Sequence, residues 1–428
     1  MKAPSLSLSP KAVNRVRFAA ILGVLGPGLV SGFADNDAGG ITTYSVAGVK
    51  YGYELLWVLL ASQIVLFFTQ EVGARLGLAT GQGLTGLVRE RFGVRWVTFL
   101  TITMLIANVG SIVAEFAGTA AALSLFHVPA AASAVLAASV VILLLTRGSF
   151  GKVQYLFVAV GIGVSLAYFA SAVMSNPDWG KAAGSLLIPS GNGSAAYWLA
   201  VVATVGTTIT PWGQAFIQSY CADKRLGPED LIGERLDVGL GALLTNLIAA
   251  FIVIACASAL FAHHVVINTN DPNAVASIAE ALRPLAGEAA KYLFAIGLLA
   301  ASFLGLGVVP LTSAYAACEA FGWETGVNWR LREAPAFYGL LIFFIVFAAL
   351  FVLIPGLPLV EVMFFAQVIN ALLLPFVLVF VMLLASDKKL MGPLVSGRFL
   401  QIVGWSGTGL LVILSLTLAW SSFFAPAG

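Results

Sequence analysis

The chain has 428 residues and a formal net charge of +2; 60% of its residues are hydrophobic and only 10% are charged. Soluble globular proteins are about 45–50% apolar and about 25% charged. The composition therefore excludes a soluble globular protein and predicts an all-α polytopic membrane protein whose surroundings are the lipid bilayer. The near-neutral charge argues against a nucleic-acid partner. No segment of soluble character gives a reason to expect an obligatory protein partner.

Eleven apolar stretches fit the length of a membrane-spanning helix, because a hydrocarbon core of about 30 Å needs about 20 residues of helix. A short basic tail, residues 1–16, precedes the first stretch. The predicted spans lie near residues 17–48, 53–74, 96–124, 129–146, 153–174, 196–220, 237–263, 289–318, 336–355, 360–385 and 401–425.

Basic residues alternate between the two sides of these spans. Eighteen of the 22 Lys and Arg residues fall in the N-terminal tail and the even-numbered connections, and the other side has only Lys50, Lys181, Arg283 and Lys291. Loops rich in Lys and Arg remain in the cytoplasm. We therefore expect a protein of the cell (inner) membrane with a cytoplasmic N-terminus and an extracytoplasmic C-terminus.

The first predicted span contains a polar interruption, DNDAGG, at residues 35–40. Unwinding there would release backbone carbonyls, such as that of Ala34, which lipid cannot satisfy; beside a carboxylate they would form a cation site of hard oxygens. The simpler alternative is that the two acids only cap the second half of the helix. Because intramembrane acids are costly and usually functional, we predict that Asp37 is a cation ligand, with Asp35 and Asn36 as accessory candidates.

A second interruption lies in the sixth predicted span, TVGTTITPWGQAFIQSY. Pro211 lacks an N–H group and clashes with the preceding turn, so it breaks or kinks the helix. Spans one and six are therefore both discontinuous, and their odd offset of five inverts one repeat relative to the other. We predict inverted repeats at residues 17–174 and 196–385, an extra span at 401–425, and a substrate site at the bilayer midplane between the two breaks.

Several stretches resemble one family of membrane transporters. GPGLVSGFADNDAGG resembles its first span, YGYELLWVLLASQIVLFFTQEVGARLGLATGQGL its second span and following loop, AEFAGTAAAL the end of its third, TTITPWGQ its broken sixth and LPFVLVFVMLLASDKKLMG its tenth. This family, the natural-resistance-associated macrophage proteins (NRAMP), transports divalent metals. The resemblance covers nearly the whole chain. It implies a fold of the leucine-transporter type, with two inverted repeats of five spans.

The chain departs from the site motifs of that family. The family's first span has Asp-Pro-Gly-Asn, whereas this chain has DAGG, so the acid is kept at Asp37 and the Asn ligand is replaced by Gly40. The family's sixth span has Met-Pro-His, whereas this chain has Thr210, Pro211 and Trp212. The chain has therefore lost a soft thioether, which favours manganese or iron over magnesium or calcium, and also a titratable His.

The other spans show a similar mixture of kept and lost positions. The third span keeps one family acid, Glu115, and has Ile112 in place of another, while the ninth span has no basic residue. The tenth span keeps Gln367, whose position supplies an amide oxygen to the metal in the family. The pattern is similar to a divergent branch of NRAMP-related magnesium transporters and implies that much of the proton path is missing.

These observations predict transport of a divalent metal cation, Mg²⁺ and/or Mn²⁺, by alternating access and without proton coupling. The cation is then the substrate, and we expect no cofactor and no enzymatic activity, because no nucleophile–base set or metal-hydrolase motif is present. The alternative is Na⁺-coupled or uncoupled transport of a small organic solute or amino acid on the same fold. The predicted metal-site residues are Asp37, Gly40, Ala34, Thr210, Thr207 and Gln367, with Asp35, Asn36, Trp212 and Glu115 as accessory candidates.

Overall fold

The computed structural model describes residues 27–147, 150–191, 193–271, 274–326 and 329–424. The predicted tail and the start of the first predicted span, residues 1–26, lie outside these ranges. The α-helices in chain order are α1 Pro27–Ala34, α2 Ala38–Tyr51, α3 Leu56–Thr80, α4 Leu84–Phe92, α5 Val94–Ser124, α6 Ala130–Thr146, α7 Phe150–Met174, α8 Trp179–Leu187, α9 Ala195–Thr208, α10 Pro211–Asp223, α11 Leu231–Ala259, α12 Ala274–Ala279, α13 Arg283–Ala286, α14 Ala290–Phe321, α15 Pro335–Val352, α16 Leu359–Ala385, α17 Lys388–Met391 and α18 Arg398–Phe424.

Each predicted span corresponds to one helix or to a pair of half-helices. Helices α3, α5, α6 and α7 match predicted spans two to five, and α11, α14, α15, α16 and α18 match spans seven to eleven. Spans one and six are the half-helix pairs α1–α2 and α9–α10. Within the described ranges, seven helical segments are long and apolar enough to cross a membrane, by length and composition. The all-helical class with broken first and sixth helices is confirmed.

The first interruption is shorter than the sequence indicated. Only residues 35–37 separate α1 from α2, whereas unwinding was predicted over 35–40. Asp37 caps α2, because its Oδ1 accepts the N–H group of Gly40 at 2.5 Å. The cap draws Gly39 and Gly40 into the first helical turn. The prediction that these glycines are unwound is therefore wrong, and the capping alternative describes the local backbone.

The second interruption follows the prediction more closely. The N–H group of Ile209 closes the last turn of α9 on the carbonyl of Val205 at 2.8 Å. Thr210 then caps α10, because its Oγ1 accepts the N–H group of Gly213 at 3.1 Å. Pro211 is the first residue of α10, where a missing N–H group breaks no intrahelical bond. The proline therefore separates the two half-helices.

Glycines allow α16 to approach both broken helices. A Cβ atom on Gly206 of α9 would lie 1.9 Å from the main-chain oxygen of Gln367, and one on Gly39 of α2 would lie 1.9 Å from Nε2 of the same residue. A backbone oxygen cannot move aside as a side chain can. Both half-helices therefore pack directly on Gln367, and close approach is the physical reason for glycine at these two positions.

Ion pairs gather the connections predicted to be cytoplasmic at one end of the molecule. Arg91, at the end of α4, pairs with Asp387 beyond α16 at 3.2 Å. Arg235 at the start of α11 pairs with Glu71 of α3 at 3.0 Å, and Arg75 pairs with the same carboxylate at 2.7 Å. These residues define what we call the basic face. Its composition agrees with the alternation of basic residues along the chain.

The outward surface of the helix bundle is apolar. Large hydrophobic side chains at least two-fifths exposed occur on the outer helices and not only in loops. A soluble monomer rarely exposes so much contiguous apolar surface, whereas a bilayer solvates it. Examples from five helices are Ile64, Ile102, Ile106, Leu136, Phe343, Leu350, Phe365 and Leu383. The chain is accordingly a multi-pass membrane protein.

Candidate metal site

Two carboxyl groups meet at the first break. Asp37 lies in the break and Glu115 extends from α5, and both side chains are fully buried. The two carboxyl groups are close enough to interact electrostatically, and Oε2 of Glu115 accepts the N–H group of Ala38 at 3.3 Å. Two ionised carboxylates this close repel each other strongly in a low-dielectric interior unless a proton or a cation accompanies them.

Each of these carboxyl groups retains an oxygen for a ligand. Among the residues described, Oδ2 of Asp37 and Oε1 of Glu115 have no hydrogen-bond partner. Buried polar atoms are nearly always paired, so these two oxygens need either a proton shared between the acids or a bound cation. One oxygen of Asp37 therefore caps α2, and the other, Oδ2, has no partner in the described structure.

Gly40 lies close to oxygens from both breaks. A Cβ atom at this position would lie 3.0 Å from the Asp35 carbonyl oxygen, 3.0 Å from Thr207 Oγ1 and 3.3 Å from Asp37 Oδ1. The Thr207 hydroxyl has no partner within the described structure. The predicted residues Asp37, Gly40 and Thr207 are therefore brought together, and Gly40 contributes space rather than an unwound carbonyl.

Gln367 reaches the site through its amide nitrogen. Its Oε1 accepts a hydrogen bond from Asn370 Nδ2 at 2.9 Å, and its Nε2, which faces Gly39, has no partner among the described groups. Asn370 also donates to Ser111 of α5 at 2.9 Å. A half-turn of the Gln367 amide exchanges its oxygen and nitrogen. The oxygen becomes a ligand only in that orientation, which breaks the present bond to Asn370.

Ser111 and Asn370 also support the site, although no sequence motif pointed to them. Both are fully buried, and they connect α5 to α16 beside Gln367. The sequence did contain a signal for both residues, because each is a polar residue in an apolar helix predicted to span the membrane. Ser111 lies four residues before Glu115, and Asn370 lies three residues after Gln367. Helical neighbours at these spacings share a face.

The remaining candidates lie around this centre. Thr210 Oγ1 donates to Asp35 Oδ1 at 3.1 Å and also accepts the capping bond from Gly213, so Thr210 lies beside Asp35. Asn36 is directed elsewhere, because its Nδ2 donates to the carbonyl of Thr245 on α11 at 3.4 Å. Ala34 ends α1, where the last carbonyls lack intrahelical partners. Trp212 is fully buried within the main apolar core, which indicates packing.

The donor atoms are carboxylate, hydroxyl, carbonyl and amide oxygens. Within the described ranges, no group of three or more His, Cys, Asp and Glu residues could hold a metal ion. A cation here must therefore use two carboxylates supplemented by neutral oxygens. Such hard donors suit Mg²⁺, Ca²⁺ and Mn²⁺ rather than metals that prefer thiolate or imidazole.

Two broken helices five spans apart, with unpaired polar atoms at the breaks, define a membrane transporter of the leucine-transporter type. The fold agrees with the crystal structure of the Eremococcus coleocola manganese transporter in complex with an aromatic bis-isothiourea compound, at a TM-score of 0.74 and 21% identity over 96% of this chain and 90% of that one. It also agrees with MhsT in complex with L-phenylalanine, at a TM-score of 0.57 and 16% identity over 93% and 98% of the two chains.

The family follows from the sequence comparison. The model described as natural resistance-associated macrophage protein-like (Nramp) matches residues 28–421, so the chain belongs to this family. A divalent metal cation transporter MntH of Deinococcus radiodurans is 29% identical over 96% of this chain and 91% of its own length. The protein of the same name from Bacillus subtilis is 26% identical over 95% and 94%. The predicted family is confirmed.

Filling the space at residue 40 tests the site. Gly40→Ala places a methyl group among the three oxygens and should weaken Mn²⁺ binding by about tenfold or more, a change of about 1.4 kcal/mol. Gly110→Ala is the matched control, because a Cβ at Gly110 meets its nearest atoms only at 3.9 Å. Isothermal titration of the purified proteins with Mn²⁺ measures both. Equal affinities in the two variants would show that this space is not the binding site.

Proposed function

We propose that this protein transports divalent metal cations, Mg²⁺ and/or Mn²⁺, across the cell membrane by alternating access at the breaks of its first and sixth helices. The observation that carries the proposal is the buried contact between Asp37 and Glu115, each with an unpartnered oxygen. Family membership and the names of the MntH relatives support the same substrate class.

The donor set favours a hard and partly hydrated ion. Mg²⁺ sheds water reluctantly and usually retains several waters beside one or two carboxylates. Thr210 supplies a hydroxyl where the family motif has a thioether, and Gly40 leaves space where the motif has an amide side chain. Both departures favour Mg²⁺ relative to soft metals, while Mn²⁺ accepts the same oxygens.

We propose the predicted topology as well. The N-terminus and the basic face lie in the cytoplasm and the C-terminus lies outside, because basic loops are retained on the cytoplasmic side. The inverted repeats comprise residues 17–174 and 196–385, and 401–425 is the additional span. This arrangement places the substrate site between the two repeats.

The groups beyond Glu115 support transport without proton coupling. From Glu115 the polar side chains of α5 continue through Ser111 and Asn108, which bond to Asn370 and Ser313. None of these four groups titrates near neutral pH, so none of them supplies an acid or base that takes a proton from Glu115. Cation uptake would then follow the membrane potential, which supplies about 2.3 kcal/mol per charge per 100 mV.

A substrate carboxylate fits this site poorly. The two buried acids at the breaks would repel it, and no Lys or Arg is among the fully or nearly fully buried residues around them in the described structure. The observations therefore favour a cation over an amino acid or another organic anion.

Loss of Asp37 should abolish transport. Asp37→Ala removes the oxygen available to the cation, and it also removes a cap worth about 1 kcal/mol. Asp37→Asn retains a capping oxygen and serves as the matched variant. Uptake of Mg²⁺ and Mn²⁺ into proteoliposomes should fall to the protein-free rate in both variants. Wild-type uptake by Asp37→Asn would remove this carboxylate from the substrate site.

Restoring a soft ligand should change ion preference. Thr210→Met supplies a thioether near the site and should increase competition by Cd²⁺ against Mg²⁺ by about tenfold. Because the substitution also removes a helix cap, Thr210→Val is the control that loses the hydroxyl without gaining sulfur. If Cd²⁺ competes equally in the two variants, residue 210 does not face the ion.

Coupling can be measured directly. We expect Mg²⁺ influx into vesicles loaded with a pH-sensitive dye to proceed without acidification, at zero potential and at an inside-negative potential. The control is Glu115→Gln, which removes the last titratable group in contact with Asp37. Acidification that tracks cation flux in the wild type and disappears in Glu115→Gln would demonstrate proton symport and overturn the uncoupled mechanism.

A further inference from the structure

Asp35 forms a second cluster of oxygens, separate from the Asp37–Glu115 contact. Its side chain is only 1% exposed, its Oδ1 accepts from Thr210, and its Oδ2 has no partner among the described residues. The Gln70 amide of α3 interacts with Asp35 and donates to Ser31 Oγ at 3.4 Å. Oε1 of Gln70, which is fully buried, also lacks a partner within the described chain.

Gly213 shows how closely these oxygens converge. A Cβ at this position would lie 2.8 Å from Thr210 Oγ1, 3.4 Å from Asp35 Oδ1 and 3.6 Å from Ser31 Oγ. Three oxygens from α1, the first break and the second break therefore surround one small volume. Gln70 of α3 faces this volume with its amide nitrogen, which donates to Ser31 Oγ, so its oxygen becomes a ligand only after a half-turn of the amide. The cluster has one carboxylate and two hydroxyl oxygens, with the Gln70 amide beside them.

A row of buried amides leads from this cluster along α10. Gln214 and Gln218 follow Thr210 at intervals of four residues, so the three share one face of α10. Both glutamines are fully buried; neither polar atom of Gln214 has a partner in the described structure, and Oε1 of Gln218 has none. The row spans about 12 Å at 1.5 Å per residue.

The row ends at a cavity. Nε2 of Gln218 donates to the carbonyl of Gln82 at 3.0 Å, and Gln82 lines a cavity of about 650 Å³ together with Ser219, Asp223, Arg225 and Glu319. Glu319 is already bound by the hydroxyl groups of Thr85 and Ser219 at 3.0 and 2.9 Å, so it is part of the wall. The unpartnered groups therefore lie along the row, between the cavity and Asp35.

We propose that Asp35, Ser31, Gln70 and Thr210 form a second subsite for the divalent cation, from which it leaves along the Gln214–Gln218 row to the cavity lined by Gln82 and Arg225. This proposal rests on the proposed function. A subsite with one carboxylate holds a divalent cation less strongly than the Asp37–Glu115 site with two. Conduction requires sites that release an ion as readily as they accept it, and a decrease in charge toward the exit satisfies this requirement.

The first experiment separates passage from central binding. Asp35→Asn retains an acceptor for Thr210 but removes the charge, and Gln214→Leu interrupts the row without touching Asp35. Each should lower the maximal rate of Mn²⁺ flux in proteoliposomes by about tenfold. The Mn²⁺ affinity of the central site, measured by isothermal titration, should change by much less. Asp178→Asn is the control, since it makes the same substitution at the exposed cap of α8.

The second experiment gives a readout that a purely structural role would not move. Asp35→Cys places a thiol in the subsite, and Cd²⁺ should then block Mn²⁺ flux at concentrations about tenfold lower than in the wild type. The three native cysteines are buried and remain in both proteins. Reversal of the block by a chelator would show that Cd²⁺ is held at residue 35.

Each outcome decides between the proposals. Unchanged flux in Asp35→Asn and in Gln214→Leu, or unchanged Cd²⁺ sensitivity in Asp35→Cys, overturns the second subsite and leaves Asp35 as a bridge between α1 and the start of α10. Loss of Mn²⁺ binding in Asp35→Asn to the extent seen in Asp37→Asn shows a single merged site and also overturns it. Failure of the wild type to bind or move Mn²⁺ and Mg²⁺ overturns the proposed function itself.

Discussion

Asp37 and Glu115 bring two carboxyl groups into contact inside the membrane-spanning part of the chain, where an uncompensated charge is expensive. The rest of the site compensates for this contact. The start of α2 supplies the N–H groups of Ala38 and Gly40 to the two acids, and the positive end of a helix dipole favours negative charge. A bound cation completes the neutralisation in the proposed function.

Glycines at the contacts between helices give the two breaks their geometry. Gly39 and Gly206 allow α2 and α9 to lie against Gln367, and Gly118 of α5 allows Ala38 to lie beside that helix, because a Cβ there would approach the Ala38 methyl to 2.2 Å. Small residues at helix contacts are the usual means of close approach in membranes. They bring the polar atoms of four helices together without opening the site to lipid.

The two acids of the first break face different surroundings although one residue separates them. Asp37 contacts α5 and caps α2, whereas Asp35 contacts Thr210 and Gln70 on α10 and α3. Regular extended backbone would place side chains two residues apart on the same side. Asp35 and Asp37 face different helices, so the backbone of the break is not regularly extended. The two binding positions that we propose rest on this divergence.

The sequence by itself determined the membrane class, the all-helical architecture and the two breaks, because these depend on local properties: apolar length and the missing N–H group of Pro211. The polar interruptions themselves indicated Asp37 and Thr207, and the family motifs added Glu115, Thr210 and Gln367 as predicted site residues. Only the tertiary structure decided the extent of the first break, since the Asp37 cap pulls Gly39 and Gly40 into α2, and only it revealed the contacts of Ser111, Asn370 and Gln70. Those residues act through contacts between helices far apart in the chain, and no local pattern specifies which polar side chain meets which.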